Sequence, residues 1–199
     1  MYKKRDNFIW FCLYLYPDFK VLITNCENIN DELLEKEKEL DLLIKGREIL
    51  KCINLNDRIK YTIEHYNISM IKINEDKDDI HDYFGLDEIM WIQETNKLIN
   101  ESIYILQNSN NNIYICLGFL TEIIIDNENN FIYISRLKNN NLNSPILNLT
   151  NHKLIGINIK NNEKSYSNIG LFIYYPLKEF IDKTYYKRMS VKEFASKYE

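Results

Sequence analysis

The chain has 199 residues, 45% of them hydrophobic and 13% aromatic, which is enough apolar material for one large domain or two small ones around a packed interior. Its net charge of −4 and scattered Lys and Arg give no basic face of the kind nucleic-acid binding needs. The short basic run Lys183–Arg188 reads as the solvated flank of a helix.

Short apolar runs rich in Ile, Tyr and Leu dominate, separated by Asn/Asp turns. They predict strands at Phe8–Leu15 and Lys20–Thr24. Asp31–Lys36 reads as a short helical turn, followed by a hairpin of Leu40–Ile44 and Glu48–Leu55 around Lys45-Gly46-Arg47. Ile59–Glu64 and Ile68–Ile73 complete a first group of strands. Asp76–Asn100 is a mixed connector. A second group follows at Ser102–Gln107, Ile113–Thr121, Phe131–Ser135, Ser144–Leu149, Lys153–Ile159 and Leu171–Tyr174. Near-regular spacing of many short strands predicts an all-β sandwich or barrel. Pro176 suits a first helical position, with Leu177, Phe180 and Ile181 on one face. Ser190-Val-Lys-Glu193 is a capping box opening a second helix to Tyr198.

Cys12, Cys26, Cys52 and Cys116 form no CxxC pair and show no zinc-ligand spacing. Met1–Asp6 is polar, and the aromatic run Phe8–Tyr16 is too short for a signal peptide or a membrane span. These features predict a cytoplasmic protein with reduced thiols, no metal and no cofactor. His81 lies among Asp78, Asp79 and Asp82, but one His without regular ligand spacing reads as a solvated acidic loop. The pairs Tyr174/Tyr175 and Tyr185/Tyr186 lack a basic groove beside them and read as core or protein interface.

Five segments carry a resemblance. Asn143-Ser-Pro-Ile-Leu-Asn-Leu-Thr-Asn-His-Lys-Leu-Ile-Gly-Ile-Asn158 combines a Ser-Pro-Ile-Leu strand, a polar turn and a Leu-Ile-Gly-Ile strand. It resembles the stretch after the nucleophile in trypsin-like peptidases of the chymotrypsin fold. Gly170-Leu-Phe-Ile-Tyr-Tyr-Pro-Leu-Lys-Glu-Phe-Ile181 looks like that family's final strand and C-terminal helix. Val21-Leu-Ile-Thr-Asn-Cys-Glu-Asn-Ile29 resembles the strand and turn that present the catalytic His. Tyr66-Asn-Ile-Ser-Met-Ile-Lys-Ile73 resembles the strand opening with the catalytic Asp, and Ser102-Ile-Tyr-Ile-Leu106 the first strand of the second barrel. The resemblance spans roughly Phe8 to Asp182.

It implies two antiparallel six-stranded β-barrels packed at right angles, with a C-terminal helix. The expected divisions are 1–82 for the first barrel, 83–182 for the second with its helix, and 183–199 for a helical extension. Carried across residue by residue, the His position falls on Glu27, the Asp on Asn67 and the nucleophilic Ser on Leu142. The oxyanion-hole Gly falls on Asn140, and Ser144 matches the small residue two places after the nucleophile. Leu142 has no nucleophilic atom, and loss of one triad member alone costs about 10⁴-fold in rate.

The implied function is therefore a catalytically inactive trypsin-like pseudoprotease. It would serve as a protein-binding or scaffold subunit of a larger assembly, its old cleft taking an extended peptide by strand addition. No enzyme activity, nucleic acid, membrane or small-molecule cofactor is expected. The alternative is an active peptidase with a substituted nucleophile, Cys26 or Ser144. Cys26 needs a base; His65 and His152 are the only candidates, neither is expected where the fold would aim it at Cys26, and a buried inert thiol is the default reading. Ser144 could be drawn with His152 and Glu27, but the turn carrying His152 is expected to point away from the cleft.

Overall fold

The computed structural model describes residues 11–15, 19–26, 31–36, 38–44, 49–56, 58–81, 83–92, 94–109, 112–124, 129–137, 142–162 and 165–184. The first half holds β1 (Phe11–Leu15), β2 (Phe19–Asn25), α1 (Asp31–Lys36), β3 (Glu39–Ile44), β4 (Ile49–Asn54), β5 (Lys60–Ile63) and β6 (Ile68–Lys72). The connector forms α2 (Glu75–Asp78), β7 (Phe84–Gly85) and α3 (Glu88–Ile92). Then come β8 (Ser102–Ser109), β9 (Asn112–Ile123), β10 (Asn130–Ser135), β11 (Pro145–Asn148), β12 (Leu154–Lys160), β13 (Ser167–Phe172) and α4 (Tyr174–Thr184).

The second half closes into a six-stranded barrel in the order β10-β13-β12-β11-β8-β9. All six pairings are antiparallel. Three register shifts, at Ile132/Tyr133, Ile146/Leu147 and Asn158/Lys160, supply the bends that closure requires.

The first half departs from the closed barrel expected there. Among the described residues it is a five-stranded sheet, β5-β6-β2-β1-β7, with β3 and β4 paired only to each other. The physical reason lies in how the hairpin is held. Leu42 of β3 and Ile53 of β4 pack with Leu22 and Ile71 on one face of the sheet. Val21, Ile23, Ile68 and Met70 face the main core on the other side. Strands β2 and β6 are thus covered on both faces, which is why they read as continuous apolar runs. The hairpin joins by side-chain packing and not by extending the hydrogen-bond ladder.

Other differences are local. The last strand starts at Ser167 and not at Leu171. The helix α4 starts at Tyr174, so Pro176 is its third residue, within the first turn, where no backbone donor is needed. Leu177 and Phe180 are fully buried beneath it. The second predicted helix, Ser190–Tyr198, lies outside the described residues.

One apolar cluster runs through both halves, from Phe11 and Leu13 of β1 to Phe131, Phe172, Leu177 and Phe180. No helix among the described residues is long and apolar enough to cross a membrane.

Candidate functional site

The turn between β5 and β6 is a 3-10 segment, Glu64–Tyr66, ended by Asn67 in the left-handed conformation at φ 56°. Asn tolerates this conformation better than most residues. The Asn67 carbonyl accepts the Cys26 backbone N–H at 3.2 Å. Its side-chain Oδ1 accepts from the Cys26 thiol at 2.9 Å. These bonds tie the end of β2 to the start of β6 at the corner where the resemblance places His and Asp.

Opposite this corner stands the loop that enters β11. Leu142 is 38% exposed, and Asn143 beside it is 5% exposed with φ 61°. Asn143 donates its backbone N–H to the Asn158 carbonyl at 2.7 Å. Its side-chain Nδ2 is buried and has no hydrogen-bond partner among the described residues.

Between the two walls lies a cleft of about 440 Å³. His65, Tyr66 and Asn67 line it from the first half, and Leu142, Asn143 and Asn129 from the barrel. Asn129 bridges the walls, its Nδ2 donating to the Tyr66 hydroxyl at 2.9 Å. His65 is held from behind by α4: its Nε2 lies 3.1 Å from a Glu179 carboxylate oxygen. Burial raises the Tyr66 pKa, and the Glu179 carboxylate and Tyr175 raise it further, while the Asn129 hydrogen bond opposes them. Tyr66 therefore stays a neutral phenol at ordinary pH.

The structure brings together Asn67 and Leu142, two of the positions the sequence singled out, in one cleft. Glu27 and Asn140 lie outside the described residues. Cys26 reaches the cleft wall through Asn67. Ser144 is fully buried and does not line the cleft. His152 sits in the turn after β11 with its ring 5.8 Å from that of Tyr104, and it does not line the cleft. His81 bonds Asp79 at 2.7 Å, both exposed, and Asp78 turns inward to Arg58; Asp82 lies outside the described residues. Among the described residues, no group of three or more His, Cys, Asp and Glu side chains is arranged to hold a metal. The sequence reading missed the Tyr66–Asn129 bridge, the His65–Glu179 pair and the Asn143 amide. Each joins segments far apart in the chain, and no local pattern announces them.

No family model matches the chain, and no curated protein matches it in sequence. Solved structures do match in fold. The serine endoprotease from Yersinia pestis aligns with TM-score 0.55 at 12% identity, over 82% of this chain and 55% of that one. Rv3671c from M. tuberculosis H37Rv, a serine-to-alanine mutant in its inactive form, aligns with TM-score 0.53 at 9% identity, over 89% and 82%. Deg5 aligns with TM-score 0.51 at 14% identity, over 79% and 75%.

The expectation of a non-enzyme is corrected by these neighbours. A protein named as a serine endoprotease shares the fold, so the fold is one that enzymes use and gives no ground for a non-enzyme. Nor does the geometry show inactivity, because two of the four positions on which that expectation rested, Glu27 and Asn140, are not described. The closed barrel, the partnering sheet and the C-terminal helix are those of the chymotrypsin-like protease fold.

Proposed function

We propose that the cleft between the sheet and the barrel binds an extended polypeptide. The observation that carries this reading is the pairing of exposed Leu142 with the buried Asn143 amide, side by side on one wall. An extended peptide presents a carbonyl every few ångströms and side chains that alternate in direction. Leu142 offers an apolar contact for one side chain. A buried amide donor left without an acceptor costs about 1–3 kcal/mol, and a peptide carbonyl in the cleft offsets that cost. The test uses fluorescein-labelled casein as an unfolded polypeptide, followed by anisotropy. Saturable binding is expected, weakened at least tenfold by Leu142→Lys. Absence of saturable binding, or binding indifferent to Leu142→Lys, overturns the reading.

A second reading, peptidase action through Cys26, is favoured by the thiol's place at the Asn67 corner and by His65, an imidazole lining the cleft with the Glu179 carboxylate 3.1 Å from its Nε2. In such a reaction the Cys26 sulfur attacks the peptide carbonyl carbon and its proton passes to His65. The amine leaves with that proton, and water then hydrolyses the thioester. Glu179 would orient the ring, as the third member of a triad does. Incubating casein with the protein and with its Cys26→Ala and His65→Ala variants decides it. Cleavage lost in both variants supports the reading, and cleavage that survives Cys26→Ala, or none in the unaltered protein, sinks it.

A further inference from the structure

The outer face of the barrel is the opposite of what a solvated sheet presents. Along β9 the residues pointing outward are Ile113, Ile115, Leu117 and Phe119, exposed by 58%, 65%, 64% and 43%. Cys116, between Ile115 and Leu117, and Leu120, after Phe119, point into the core. An antiparallel sheet with one face in water alternates apolar inside with polar outside. Here both faces of one strand are apolar. The neighbours in register continue the stripe. Phe119 lies opposite Ile134 of β10, which is 37% exposed. On the other side Ile115 and Leu117 lie opposite Leu106 and Tyr104 of β8. None of these residues is charged, and none lines the cleft.

We infer that this face is the contact surface of a symmetric dimer of the chain. The size fits. The five exposed side chains present roughly 500 Å² of apolar surface, at the upper end of what the largest patch of a monomer shows. A stable interface takes about 800 Å² per partner, built as an apolar centre with a polar rim. The stripe thus supplies the centre of one interface. The charge pattern also selects a second copy. In a two-fold contact the same patch meets itself, so a charge lying at the axis would face its own like charge. A stripe without charge is self-complementary, even though the whole chain carries −4. Two such sheet faces stack about 10 Å apart with their side chains interdigitated.

Sedimentation equilibrium from about 1 to 100 μM tests the dimer, with Leu117→Asp as the first variant. Leu117 is largely in water in one copy, so the charge should leave the thermal melt unchanged while weakening self-association at least tenfold. Leu117→Cys supplies an independent measurement. Because Leu117 lies inside the exposed stripe from Ile113 to Phe119, face-to-face packing of two copies should let this cysteine form an intermolecular disulfide under mild oxidation that the unaltered protein, with its own cysteines, does not form. Three results overturn the inference: a monomer at 100 μM, a dimer equally tight with Asp at position 117, or no added cross-link in Leu117→Cys. If Leu117→Asp loses its melt, the cross-link alone decides. A protein that binds phospholipid vesicles but stays monomeric without them also overturns it, by assigning the stripe to a lipid surface.

Discussion

Asp78 is 4% exposed, and its carboxylate takes both terminal nitrogens of Arg58 and the Asn74 backbone N–H, the last at 2.7 Å. Arg58 also donates to the Lys72 carbonyl at 3.0 Å, which fixes the end of β6. Removing one partner of a buried pair strands the other charge. Asp78→Ala should therefore cost about 3–5 kcal/mol, while an apolar replacement of both partners should cost much less; urea midpoints of the single and double variants measure the difference. The sequence showed Asp78 only as one of several acids around His81, and spacing cannot say which carboxylate turns inward. The cleft was legible to the extent that the order of segments placed Asn67 and Leu142 together on its floor, whereas the structure sets them on facing walls. The Asn143 amide was not legible, because a donor lacks an acceptor only through the packing of everything around it. Asn143→Gly keeps the left-handed backbone and removes that donor. Casein binding is expected to weaken about 5–10-fold with the melting temperature little changed, in line with one hydrogen bond of ordinary strength.

Periodicity placed most strands within a few residues, because the alternation of a barrel wall is local information. It failed at the start of β13. Asn168 is 2% exposed, yet its amide donates to the Ser135 carbonyl at 3.0 Å and the Tyr166 carbonyl at 2.9 Å. A buried polar residue that serves backbone acceptors reads as a turn when only its identity is known. The same strand depends on Gly170, over which the Phe131 ring lies so closely that a Cβ would collide with it. On the neighbouring strand a Cβ at Gly156 would come within 2.9 Å of the same ring. Phe131 also stacks on Phe172 with centroids 4.5 Å apart, so it cannot simply move away. Gly170→Ala should destabilise the barrel by about 1–3 kcal/mol through overpacking. The double variant with Phe131→Leu should recover part of that loss, as read from thermal melts of the two proteins.

Closure is a property of the whole chain. Whether six strands close a ring or remain an open sheet depends on which distant edges meet, and the alternation along each strand is the same either way. That is why the second barrel was legible as a group of strands, while the first was given a closure that the described residues do not show. The two halves still share one core, and α4 returns from the barrel to the first sheet, with the Phe180 ring 5.8 Å from that of Phe19. The molecule should therefore respond as one unit to a titration inside it. Burial pushes the Tyr133 phenol far above its ordinary range, with Cys116 adding to the effect, and its hydroxyl donates to Asn158 at 2.8 Å. Tyr66 is raised as well. Below about pH 10, the ordinary tyrosine value, both phenols are neutral in the folded and unfolded chains, and their contribution to stability is intact. Above it the unfolded chain releases protons that the folded one keeps. Stability should then fall by up to about 1.4 kcal/mol per pH unit through Tyr133, and by less through Tyr66, whose half-exposed ring is screened by solvent. Urea midpoints at pH 8, 10 and 11 should decline together for probes in either half. Tyr133→Phe should be less stable at pH 8, because its hydrogen bond to Asn158 is gone, yet decline less steeply between pH 10 and 11. An equal slope in that variant would show that Tyr133 titrates in the folded protein as it does in the unfolded chain.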